Sequence, residues 1–174
     1  MALDVPTPAD ELRAVQAPLK ERYRDDPDAA LVTLTARATL GEGVTCSVET
    51  GRALAAAGLH PASGGDGTTL CSDDLLLEAL AACVGVTMRA VATALDIPVA
   101  GTVTADGELD FRGTLGVDRD APVGFRSIRL RFDLDTEADP KRVAKLVELT
   151  ERYCVVLRTL AGSAALSVDW GRDG

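Results

Sequence analysis

The stretch Asp73-Asp74-Leu75-Leu76-Leu77-Glu78-Ala79-Leu80-Ala81-Ala82-Cys83-Val84-Gly85-Val86-Thr87-Met88 decides the fold. It predicts a helix running on through Ala90 and Val91 and stopping near Asp96-Ile97-Pro98. Ser72 stands where a side-chain cap is expected, and Asp73 and Asp74 suit the positive end of the helix dipole. Apolar residues occupy almost every face, so the helix is expected to be packed on several sides. Glu78 and Arg89 interrupt the run, and a charge at mid-membrane depth is costly. A core helix is therefore the better reading than a membrane span. The small residues Ala81, Ala82 and Gly85 allow another backbone to come close to Cys83.

Outward from this helix, the patterns alternate. Leu31 to Leu40 places Val32, Leu34, Ala36 and Ala38 on one side, as in a half-buried strand. After the Gly41-Glu42-Gly43 turn, Val44, Cys46 and Val48 alternate in the same way, which predicts a hairpin. Residues 50–69, with His60-Pro61 and Gly64-Gly65-Asp66-Gly67, read as a long loop. Beyond the helix, two more strands are expected over about 99–112 and 124–135. Ile128, Leu130, Phe132 and Leu134 should face the core, and Arg126, Arg129 and Arg131 the solvent. Asp139-Pro140 forms a cap and a first-turn proline for a helix expected to run through Cys154 to Leu157. A short last strand is expected over 166–170. At the other end, residues 1–28 read as a helical extension, from Pro8 to about Arg24 and kinked by Pro18. Residues 29–174 form the main domain. The class is α+β, because the strands come as antiparallel hairpins. One chain of this size has little with which to cover so apolar a helix, and an intertwined dimer would bury two of them together.

The chain has 174 residues, 47% of them apolar, and a net charge of −9. That suffices for one domain with a hydrophobic core. The acidic balance argues against nucleic acid or an anionic membrane as partner, since both are bound through Lys and Arg. Met1-Ala2-Leu3-Asp4-Val5-Pro6 lacks the basic and apolar regions of a signal peptide, so a cytoplasmic protein is expected. One histidine, His60, supplies poorly either a Ser-His-Asp hydrolase or a multi-histidine metal site, and it reads as a loop residue. The four cysteines, Cys46, Cys71, Cys83 and Cys154, contain no CxxC pair, which leaves neither a zinc ribbon nor a thioredoxin motif. Scattered cysteines in such a chain are usually small buried hydrophobes.

Two landmarks raise Cys83 and Cys154 above that reading. The run from Asp73 to Ala81-Ala82-Cys83, entering after a Gly-rich loop, resembles the central helix of the OsmC/Ohr family of osmotically inducible and organic hydroperoxide resistance proteins. Arg152-Tyr153-Cys154-Val155-Val156 resembles the second-cysteine segment of that family. The resemblance covers roughly residues 31–170. It implies an OsmC-like fold, with antiparallel sheets wrapped around central helices in an intertwined homodimer whose active sites lie at the subunit interface. It also implies a thiol peroxidase for organic hydroperoxides, reduced again by an external dithiol and needing no cofactor or metal. Cys83 would be the peroxidatic cysteine and Cys154 the resolving one.

A thiol in an apolar pocket needs help to ionise. Cys83 lies ten residues past Asp73, about 15 Å from the start of its own helix. The family supplies an arginine from the segment before that helix, held by a carboxylate at the helix start. Asp73 falls on the carboxylate position, where the family commonly has Glu. Arg52 and Arg37 are the candidates for the arginine, with Arg52 favoured. Cys71 stands where the family tends to have a small polar residue, and reads as a loop cysteine. These departures keep open an alternative: an OsmC-like dimeric stress protein without efficient peroxidase activity, binding a small apolar ligand at the dimer interface.

Overall fold

The computed structural model describes residues 37–40, 45–49 and 54–171, apart from 117 and 163. It also describes four helical positions, Ala14, Ala17, Glu21 and Asp25. The rest of the expected amino-terminal helix, the turn at 41–43 and Arg52 lie outside the described residues. So do the side chains of Arg37 and Cys46.

Three short strands precede the central helix: β1 (Arg37–Leu40), β2 (Thr45–Glu49) and β3 (Leu54–Gly58). β1 and β2 form the expected antiparallel hairpin, with Arg37 opposite Glu49 and Leu40 opposite Cys46. β3 was expected to be loop. Leu-Ala-Ala-Ala-Gly carries neither alternation nor β-branched residues, and its strand exists because β2 offers an edge, pairing Thr45 with Gly58 and Glu49 with Leu54. His60 then caps a 3₁₀ turn over Pro61–Ser63, its Nδ1 accepting from the Ala62 N–H at 3.0 Å. Its ring stacks on Phe111 at 5.0 Å between centroids. A two-residue strand, β4 (Leu70–Cys71), runs parallel to β3 with Cys71 opposite Gly58.

That pairing holds Cys71 extended, so α1 (Ser72–Ala94) starts immediately after it. The cap residue is Cys71, which gives no side-chain cap bond, and Ser72 is already helical. The expected Ser72 cap is therefore not formed. Asp73 and Asp74 do occupy the first turn. α1 is long and apolar enough to cross a membrane by length and composition, but it packs against the strand Ala100–Leu109 and the helices Pro140–Tyr153 and Val155–Ala161. Leu80, Val84, Met88 and Ala92, four apart, form its buried stripe. Its opposite side is uncovered among the described residues. Val86 is 72% exposed, and a Cβ added at Gly85 would meet nothing within 4 Å.

β5 (Ala100–Leu109) and β6 (Phe125–Asp135) form a long antiparallel ribbon, with Val103 opposite Phe132 and Ala105 opposite Leu130. Gly101 has φ +131°, and a Cβ there would collide with the Asp133 carbonyl, so only glycine fits. A one-turn helix, α2 (Phe111–Thr114), lies between the strands. As expected, Ile128, Leu130, Phe132 and Leu134 pack on the core, whereas Arg126, Arg129 and Arg131 are exposed.

Asp139 caps α3 (Pro140–Tyr153), its Oδ1 accepting from the Lys141 and Arg142 N–H groups at 3.0 and 3.1 Å. Arg142 donates to the Leu95 and Asp96 carbonyls at 2.8 and 3.0 Å, tying α3 to the end of α1. The expected continuous helix to Leu157 is corrected here. Cys154 leaves the helix at φ −72°, ψ 112°, and α4 (Val155–Ala161) starts anew. The break carries Cys154 into a core cluster with Leu80 and Val84. A second cluster, Met88, Ala92, Ile97, Val99 and Leu146, fills the other end, and Phe132 packs on both. Residues 166–170 form no strand. Leu166, Val168 and Trp170 are 94%, 91% and 86% exposed. Alternation makes a strand only where an edge can pair with it, and none in the described residues does.

Candidate active site

Cys83 stands beside the buried stripe of α1, half-buried, and Thr87 follows it one turn later. Opposite them comes the break between α3 and α4. The first N–H groups of any helix lack intrahelical acceptors, and no side chain caps α4. Cys154 occupies the cap position of α4 and is fully buried. The break thus brings Cys154 into the cluster on which Cys83 packs, although the two residues stand far apart in the chain. The rest of the wall is hydrocarbon, including Val103, Ala105, Ile128, Leu130 and Leu157.

The two thiols differ in how readily they ionise. Burial pushes the Cys83 thiol up, but hydrogen bonds from the Val156 N–H, the Cys154 thiol, the Thr87 hydroxyl and the Val155 N–H outweigh it. The net displacement is below the ordinary thiol value. Each donor favours the charged form. For Cys154, burial again pushes up, eased by the Leu157 N–H. The hydrogen bond to Cys83 and the charge of its thiolate add to the rise, so Cys154 is held above the ordinary value. Among the described residues, no charged side chain contributes to the shift at Cys83. The arrangement sets a half-exposed sulfur that ionises readily against a buried one that keeps its proton.

Of the five residues singled out by sequence, Cys83 and Cys154 meet. Asp73 does not join them, being half-exposed in the first turn of α1 about 15 Å from Cys83 along the helix. Arg52 lies outside the described residues, and of Arg37 only the strand position is described. Cys71 is buried at the start of α1, in β4 rather than in a loop. His60 is taken up by its cap and its stacking. Sequence reasoning missed the amide groups of Val155 and Val156 because it carried the helix straight through Cys154. It also missed Thr87, whose place four residues after Cys83 was readable.

Several hollows adjoin α1. One, of about 500 Å³, is lined by Ala81, Gly85, Met88, Arg89, Val99 and Val103 among others, and includes neither cysteine. A smaller one, of about 350 Å³, is lined by Leu80, Ile128, Leu130, Leu157 and Leu160, with Arg126 on its wall. Four of these belong to the cluster around the two cysteines.

Residues 65–169, more than half of the chain, match the family of OsmC-like proteins. No curated protein matches the sequence. Among solved structures, the chain resembles an OsmC-like protein from Mycoplasma pneumoniae with a TM-score of 0.63 and 19% identity, over 75% of this chain and 89% of that one. An organic hydroperoxide resistance protein OsmC from Legionella pneumophila follows at 0.57 and 19%, over 76% and 92%. The organic hydroperoxide resistance protein OhrB of Bacillus subtilis gives 0.51 and 20%, over 76% and 93%. At these identities the structural likeness is one of fold, and the α+β arrangement around α1 is the OsmC-like one. With more than half its length matched, the chain belongs to the OsmC-like protein family.

Proposed function

We propose that this protein reduces organic hydroperoxides with Cys83 and Cys154 as its redox pair. One observation carries the reading: Cys83 packs against the core cluster that holds Cys154, and their surroundings push the ionisation of the two thiols in opposite directions. A thiolate at Cys83 attacks the outer oxygen of R–O–O–H, the O–O bond breaks, and the alkoxide takes a proton and leaves as alcohol. Cys83 is then a sulfenic acid. The Cys154 sulfur attacks it, its proton joins the departing hydroxide as water, and a disulfide forms. An external dithiol returns both thiols to the reduced state and is itself oxidised. The apolar hollow beside the cysteine cluster favours hydroperoxides with a hydrocarbon body over hydrogen peroxide. The protein works as a homodimer, in which the open side of α1 is covered by the partner.

The test is to mix reduced protein with one equivalent of cumene hydroperoxide, follow peroxide loss, and map the cysteines by mass spectrometry. Rapid loss with a Cys83–Cys154 disulfide is expected. In Cys154→Ser, one equivalent is consumed and sulfenic acid stays at Cys83; in Cys83→Ser, loss falls to that of the buffer. Peroxide loss no faster than with a free thiol, both cysteines remaining reduced, sinks the reading. The hollow of about 500 Å³ that excludes both cysteines then favours the second reading, a family member that binds a small apolar ligand beside α1.

A further inference from the structure

The β5–β6 ribbon departs from a regular ladder at one place. Its register passes from Ser127 opposite Glu108 to Phe125 opposite Leu109, so Arg126 faces no residue of β5. A bulge of this kind bends the strand and re-aims a side chain. Side chains two apart share a strand face, which sets Arg126 with Ile128 and Leu130 rather than with Arg129 and Arg131. Arg126 accordingly lines the hollow of about 350 Å³ whose apolar wall includes Leu80, Ile128, Leu130, Leu157 and Leu160. A hollow of that size suits a small molecule.

Other arginines nearby are committed. Arg112 and Arg131 are held by Asp110 and Asp133, and Arg89 and Arg142 by backbone carbonyls. Arg126 forms no ion pair among the described residues. Asp110, which feels its charge, is bound by Arg112 at 2.6 Å, and Glu108 accepts from the Ser127 hydroxyl at 3.0 Å. A guanidinium presents a planar fork of donors that matches a carboxylate. An apolar hollow with one such cation on its wall is complementary to a hydrocarbon chain that ends in an anion. We propose that Arg126 is a specificity-determining residue that binds a carboxylate on the substrate, so that the site takes hydroperoxides of aliphatic carboxylic acids in preference to their neutral esters. The inference rests on the proposed function and leaves its bond chemistry at Cys83 unchanged.

Binding of decanoate and of decanol to the reduced full chain is measured by isothermal titration calorimetry, a readout that involves no peroxide. The wild type should bind decanoate more tightly, and Arg126→Gln should weaken decanoate alone, by roughly three- to tenfold. Turnover is then compared for linoleic acid hydroperoxide and its methyl ester. In Arg126→Gln, kcat/KM for the acid should fall toward that for the ester, with the loss in KM. Equal affinity of the wild type for the two ligands, or an unmoved decanoate affinity in Arg126→Gln, overturns the proposal. So does an equal loss for decanoate and decanol, which would mark Arg126 as structural. Should Arg126→Gln fail to fold, Arg126→Met, which keeps the apolar stem, repeats the test. A wild type that reduces neither hydroperoxide, yet binds decanoate through Arg126, would sink the peroxidase reading and leave the carboxylate site standing. Turnover of acid and ester at equal kcat/KM would sink the carboxylate site and leave the peroxidase.

Discussion

At the scale of single residues, the proposed chemistry turns on which of the two thiols in one core cluster loses its proton first. Burial opposes ionisation at both, and the difference comes from who donates to whom. The Val155 and Val156 N–H groups, the Thr87 hydroxyl and the Cys154 thiol converge on Cys83, whereas Cys154 spends its proton on Cys83 and meets its negative charge. The sign follows directly. As pH rises, Cys83 ionises before an ordinary thiol would and Cys154 after it, so between the two lies a window in which only Cys83 is nucleophilic. Limited alkylation with a small reagent at neutral pH should therefore label Cys83 first, and its rate should level off at a lower pH than that of a free cysteine. Equal labelling of both residues across the pH range would contradict the asymmetry.

At the scale of elements, the site depends on where helices begin and end. Asp139 stops the chain from fraying before α3 and satisfies two N–H groups at once. Asp139→Ala should cost about 1 kcal/mol, read as a fall in melting temperature of about 2–4 °C. Cys83 alkylation should be little changed, since the lesion lies at the far end of α3. The break at Cys154 has the larger consequence. A helix continued through Cys154 would keep the Val155 and Val156 N–H groups on the carbonyls four residues back, and the sulfur of Cys83 would lose two donors. Sequence patterning gave the existence of this helix, its Asp-Pro start and its apolar face correctly. It did not give the break, because Tyr153-Cys154-Val155-Val156 carries neither glycine nor proline to announce one. The same limit applies to β3, whose alanines form a strand only because β2 lies beside them.

At the scale of the whole molecule, α1 is covered on one side and bare on the other. Leu80, Val84 and Met88 are buried, while Val86 and Gly85 face open space. Exposed Leu166, Val168 and Trp170 add further apolar surface at the other end of the chain. Surfaces of this kind mark association. The protein should therefore run at twice its 18.1 kDa chain mass in light scattering, and Val86→Glu should shift it toward the monomer by placing a charge on that face. A wild type that stays monomeric at micromolar concentration would remove the dimer from the proposed function.

From the sequence by itself came the α+β class, the central apolar helix, the core-facing side of β6, the Asp139 cap and the proposed pair of Cys83 and Cys154. These are local facts, legible because periodicity, capping chemistry and short motifs are written along the chain. Tertiary structure alone decided that Cys71 rather than Ser72 sits at the cap of α1, because its pairing with Gly58 holds it extended. It decided that residues 166–170 pair with no strand among the described residues. It also decided that α3 ends at Tyr153, where burial of Cys154 against Leu80 and Val84 turns a continuous helix into two. Spacing along a chain does not encode which hydrogen-bond donors will surround a sulfur; that depends on the close packing of segments distant in sequence, and here it is what sets Cys83 apart from Cys154.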